Sequence, residues 1–78
     1  MDLVDQIETM QRQSLQSLID WAGGQSSLAR LLGVTDQVVS NWVTRGRISA
    51  TMAAEAERQS RGLFSRRNLR PDVLDWRV

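Results

Sequence analysis

The sequence predicts an all-α fold, a compact bundle of about five short helices that contains a helix-turn-helix. Three observations carry that expectation. Apolar residues recur at three- and four-residue spacing along most of the 78 residues. β-Branched residues never alternate cleanly with polar ones, as they do in a half-buried strand. Pro71 is the single proline, and glycines stand where apolar periodicity stops. Repeats and low-complexity stretches are absent from the sequence.

Leu3, Val4, Ile7 and Met10 share one helical face, and Leu15, Leu18, Ile19 and Ala22 share another after a polar patch. This pattern predicts helix over 2–22, as one piece or as two broken near 11–14. Gly23-Gly24 stops it by supplying the left-handed residue that helix ends commonly need. A second helix, 25–32, carries Leu28, Ala29, Leu31 and Leu32 and ends at Gly33. Thr35 is an N-cap for a third helix over 36–44 that stops near Gly46. Ser49 caps a fourth over 50–60, with Met52, Ala53 and Ala56 on a modest apolar face ended by Gly62. Leu63 and Phe64 are expected to pack on the core. Pro71 suits the first turn of a short last helix through Asp75, and an extended piece near 64–69 is the alternative for the tail. In outline, 1–13 is a helical extension, 14–62 the helix-turn-helix core, and 63–78 a tail that packs on the core or forms a dimer contact.

The helices over 25–32 and 36–44 are separated only by Gly33-Val34-Thr35, the layout of a helix-turn-helix. Ala29 is small where the second helix crosses the first. Gly33 occupies the turn position that needs a positive φ, and Val34 and Val39 plug the angle between the helices. On the third helix, Val38, Val39, Trp42 and Val43 make one wide apolar side, so Trp42 is read as a core residue and not as a stacking aromatic. The opposite side holds Asp36, Ser40 and Thr44 in one row and Gln37 and Asn41 in the next. Base edges in the major groove are mixed donors and acceptors, and Gln or Asn reads adenine bidentately. Asp36, Gln37, Ser40 and Asn41 are therefore candidate base readers. Asp36 either accepts from a cytosine amino group or serves as a charge favoured at the helix N-terminus. Thr44, Arg45 and Arg47, at the border of the strip, are candidate phosphate contacts.

Charge is distributed to match. Residues 1–24 carry Arg12 against Asp2, Asp5, Glu8 and Asp20, a net −3. Residues 25–70 carry Arg30, Arg45, Arg47, Arg58, Arg61, Arg66, Arg67 and Arg70 against Asp36, Glu55 and Glu57, a net +5. The basic side suggests a polyanionic partner; Arg66 and Arg67, beside Asn68 in an expected loop, are further phosphate candidates. The absence of cysteine and histidine removes disulfides, the commonest metal ligand and the commonest general base. The acids show no paired spacing, so neither an enzyme, a metal site nor a cofactor is expected. No apolar run approaches a membrane span, and the acidic N-terminus is unlike a signal peptide. A cytoplasmic protein is expected. A chain this short often self-associates, so a homodimer is expected too, with Val73, Leu74 and Trp76 as candidate contacts; packing of the tail on the first helix is the alternative. Leu3, Val4, Ile7 and Met10 offer a second way of joining two copies.

The run AGGQSSLARLLGVTDQVVSNWVTRGRIS, with the later LRPDVLDW, resembles the phage Cro repressors and the related Cro-like, YdaS-type antitoxins of bacterial prophages. The shared features are a GGQ helix start, a Leu-Gly-Val turn, a recognition helix with a Trp before an R-G-R element, and a closing L-R-P-D. They span residues 14–76. The resemblance implies a lambda-repressor-like helical domain that binds palindromic operator DNA as a dimer. It implies that Gln25 and Thr35 touch phosphates and that Asp36, Gln37, Ser40 and Asn41 face bases. Asp36 stands where many relatives have Pro or Ser, which leaves base choice open there. For the antitoxin branch it implies a toxin protein as a further partner.

Overall fold

The computed structural model describes residues 3–73, which form five helices and, among the described residues, no strand. They are α1 (Leu3–Ala22), α2 (Gln25–Leu32), α3 (Asp36–Arg45), α4 (Ala50–Gln59) and α5 (Arg66–Leu69). The N-terminal periodicity resolves into one unbroken α1 of 20 residues. Its polar patch does not break it, because the Gln11 side chain is buried and donates from Nε2 to Asp72 Oδ1 at 2.7 Å. No helix among the described residues is long and apolar enough to cross a membrane.

The core forms where the apolar stripes meet. Leu15, Leu18 and Ile19 of α1 pack with Leu28, Ala29 and Leu32 of α2 and Val39 and Trp42 of α3. Ala53 and Ala56 of α4, Leu69 of α5 and Ile48 complete it. Leu18, Leu28, Ile48, Leu69 and Val39 are the largest side chains withdrawn from water. Burial of each Leu or Ile contributes about 1.5–3 kcal/mol. Two alanines on α4 allow that helix to lie close, since larger side chains there would overfill a closed core.

The α2–α3 corner follows the sequence closely. Gly33 has φ 74° and ψ 30°, the left-handed conformation that closes α2, and Val34 N–H donates to Ala29 C=O at 2.9 Å. An added Cβ at Gly33 would meet nothing within 4 Å, so conformation, not space, selects glycine there. Ala29 and Val39 are buried and Val34 is half-buried against them. Thr35 caps α3, its hydroxyl oxygen accepting from Val38 N–H at 3.2 Å. Ser49 does the same for Met52 at the start of α4.

The tail differs from the sequence expectation. Its helix precedes Pro71: Ser65 caps Arg66–Leu69, so the segment 64–69 is not extended and the arginine pair is helical rather than in a loop. Arg70, at φ −136° and ψ 70°, ends the helix, as a residue before proline is pushed out of the α region. Pro71 and Asp72 form a turn; Leu74 and Asp75, the rest of the expected last helix, lie outside the described residues. Phe64 packs on the core and its ring lies 5.6 Å from that of Trp21. Leu63 does not pack inward and is 65% exposed. Phe64, adjacent to it in non-helical backbone, takes the inward position.

Candidate nucleic-acid interface

Helix α3 presents its polar side to solvent because its other side is taken by the core. Val39 and Trp42 are buried, and Val38 and Val43 pack at the edge of the core. Asp36, Gln37, Ser40, Asn41, Thr44 and Arg45 are all exposed. The strip thus exists as a continuous row of amides and hydroxyls, with Arg45 following Gln37 and Asn41 at four-residue steps.

The strip is ordered internally. Gln37 Nε2 donates to Asn41 Oδ1 at 3.0 Å, which ties the two amides to each other. Each retains a second donor or acceptor for a base edge. Asp36 Oδ2 accepts from Ser26 Oγ at 2.9 Å, linking the first turns of α2 and α3. That contact gives Asp36 a positioning role inside the motif and leaves its other carboxylate oxygen to accept. Nothing in the sequence pattern identified Ser26; a hydroxyl near the start of one helix reaches the next only through the fold.

The candidate phosphate contacts lie at the starts of α2 and α3, at the end of α3 and on α5. Gln25 is exposed as the first residue of α2, and Gly24 supplies no side-chain cap to that helix. The free N–H groups of this first turn favour an anion. Thr35 accepts at its oxygen and keeps its hydroxyl hydrogen for donation. Arg45 and Arg47 flank Gly46, whose φ of 82° turns the chain after α3 while its N–H donates to Trp42 C=O at 2.7 Å. Arg66 and Arg67 are not brought to this cluster. Their helix packs on α1 and α4, and Glu57 takes both the Arg66 N–H, at 2.9 Å, and its guanidinium, at 4.0 Å.

Behind the interface a polar latch joins distant segments. Arg70 Nη1 donates to Ile48 C=O at 3.0 Å, and its Nε and Nη2 donate to the two oxygens of Asp72 at 2.8 and 2.9 Å. Asp72 also accepts from Gln11 and lies 3.9 Å from Arg47. The hydrogen bonds from Arg70 hold the Asp72 carboxyl below the usual carboxylate range against the opposing effect of burial, and the same pair raises Arg70. The L-R-P-D segment therefore secures α1 and the turn after α3. Of the candidate dimer residues, Val73 is half-buried, while Leu74 and Trp76 lie outside the described residues. The acidic N-terminal third also sends a basic residue to the turn after α3: the Arg12 guanidinium lies over Gly46.

Residues 15–78 match a family described as "Bacterial toxin YdaS". Over 55 residues the chain is 44% identical to "Putative transcriptional regulator YdaS" of Escherichia coli (strain K12), a match covering 69% of this chain and 55% of that protein. The chain thus spans about half the length of the curated relative it matches. No solved structure matches.

Proposed function

The chain belongs to the bacterial toxin YdaS family, and we propose that it is a sequence-specific DNA-binding transcriptional regulator. In this reading it inserts α3 into the major groove of a palindromic operator as a homodimer and represses by occupying the site, in the manner of Cro. The observation that carries the reading is the exposed, ordered strip of α3. A solvated helix face ordinarily carries Lys and Glu, whereas this one offers amide and hydroxyl groups bordered by arginines. Gln37, Ser40 and Asn41 are its base readers, with the free oxygen of Asp36 beside them. Gln25, Thr35, Thr44, Arg45 and Arg47 hold the backbone at its margins. Arg66 and Arg67 contribute at most general attraction, given the pairing of Arg66 with Glu57. The relative's name, a transcriptional regulator, supports the same reading.

Replacing Asn41 by Ala should cost about 1–3 kcal/mol at the preferred site and little on random DNA, with base preference relaxed where the amide reads. Fluorescence anisotropy on the two DNAs measures this directly. Equal losses on both would remove Asn41, and with it the Gln37–Asn41 pair, from base recognition.

A second reading, an antitoxin that neutralises a protein toxin and autoregulates its operon, is favoured by the apolar face of α1. There Leu3, Val4 and Met10 are exposed, a surface suited to another protein. It serves a toxin partner in this reading and a second copy in the first. An adjacent toxin gene, as against a divergent repressor gene, separates the two.

A further inference from the structure

Between the middle of α1 and the turn after α3 lies a cleft of about 360 Å³ lined by Glu8, Gln11, Arg12, Arg45, Gly46 and Arg47. Three guanidinium-bearing residues from two distant parts of the chain meet there. Arg12 is the single basic residue of the acidic segment 1–24, and the fold carries it to the most basic turn. Glu8, one turn earlier on the same helix, is a ready i,i+4 partner for it. Among the described residues, however, Arg12 forms no ion pair within 4 Å. Its guanidinium lies instead so close to Gly46 that a Cβ there would stand 2.6 Å from Nη2 and 2.8 Å from Cζ. Gly46 therefore has two reasons to be glycine: its positive φ, and the bare backbone that admits Arg12. Arg45 also lacks an ion-pair partner among the described residues, and Arg47 is only 3.9 Å from the shared Asp72.

We propose that Arg12, Arg45 and Arg47 form a clamp for one phosphate of the DNA backbone, with Arg12 supplied from outside the helix-turn-helix. The ligand is a phosphodiester, approached bidentately by guanidinium forks. The cleft continues the row Gln37–Asn41–Arg45, so a backbone leaving the groove past the end of α3 runs into it. Glu8 is the opposing charge on the rim and limits the attraction. Gln11, which also lines the cleft, is held by Asp72. The clamp rests on the DNA-binding reading but not on base recognition by α3, so random-sequence duplex is the appropriate probe.

One phosphate contact contributes about 0.9 unit to the slope of log K against log[salt], which at 0.1 M salt corresponds to about eightfold in affinity. Arg45 and Arg47 still face the same phosphate in Arg12→Gln, so this variant at an exposed site should make the slope on random duplex shallower by part of that amount and weaken binding by up to about eightfold. Arg12→Lys should restore part of the loss, and Glu8→Gln should tighten binding to every duplex. Arg12→Gln with a wild-type slope would overturn the clamp. So would inorganic phosphate that removes the Arg12 contribution at the same phosphate concentration as the duplex, since the site would then be one for free anions. A wild-type protein that selects no sequence yet keeps the Arg12-dependent slope would overturn base reading by α3 and leave the clamp standing. A wild-type protein that binds no duplex at low salt would overturn both.

Discussion

Trp42→Ala is expected to destabilise the domain by about 3–5 kcal/mol, the range for removing a large aromatic from a closed core. Trp42 is 5% exposed and belongs to the cluster of Leu15, Leu18, Leu28 and Val39. Its own carbonyl accepts from Gly46 and Arg47, so the residue ties the core to the turn that carries the proposed phosphate contacts. Small domains have about 5–15 kcal/mol of total stability. The variant should therefore be substantially unfolded near physiological temperature, and urea denaturation followed by far-UV circular dichroism measures the loss. Trp42→Phe, which keeps an aromatic ring, should retain the fold at a smaller cost. A Trp42→Ala protein with wild-type stability and lost DNA binding would make the indole a DNA contact and contradict the packing described above.

Asp72→Asn is expected to cost about 2 kcal/mol, the scale of hydrogen bonds to charged groups. The amide oxygen, in the place of Oδ1, can still accept from Gln11 and Arg70 Nε, but the amide NH2 then opposes the Arg70 Nη2 donor. At 31% exposure of the Asp72 side chain, solvent screens part of the ion pair, which keeps the expected effect below that of the tryptophan. The pH dependence has a defined sign. The folded-state carboxyl is depressed, chiefly by hydrogen bonds from Arg70, so its contribution is fully present above the unfolded value of about 3.9. It is lost as pH falls below that value and through the folded one. The stability difference between wild type and Asp72→Asn should accordingly be constant from pH 5 to 7 and shrink below about pH 4. A difference that persists undiminished in acid would show that the latch acts through shape and not through the ionised carboxylate.

The parts of this molecule legible in the sequence are those governed by neighbours along the chain. Helix α2, the Gly33 turn, the Thr35 and Ser49 caps and the two sides of α3 each depend on residues within one or two turns. The strip from Asp36 to Asn41 could be assigned to the surface because Val39 and Trp42 had to face inward. The illegible parts depend on long-range encounters. Gln11 meets Asp72 across 61 positions and Arg70 meets Ile48 across 22, and neither pairing leaves a periodic trace. Arg12 sits in an acidic segment, so charge counted along the sequence assigns it to the wrong side of the molecule. Ile48, fully buried between Arg47 and Ser49, has too short an apolar context to declare itself. The tail illustrates a competition between local signals: Pro71 suits a helix start, but Ser65 offers a cap six residues earlier. Proline's exclusion of Arg70 from the α region then ends that earlier helix.

The polar side of α3 is proposed to read bases. Selection of bound sequences from a random duplex pool tests it most directly. An enriched palindrome with half-site centres about one helical turn, roughly 34–36 Å, apart is expected, with loss of defined positions within each half-site when Gln37 or Asn41 is replaced by Ala. Recovery of DNA with no enriched sequence, bound as tightly as the starting pool, would contradict it and reduce the strip on α3 to a solvated helix face.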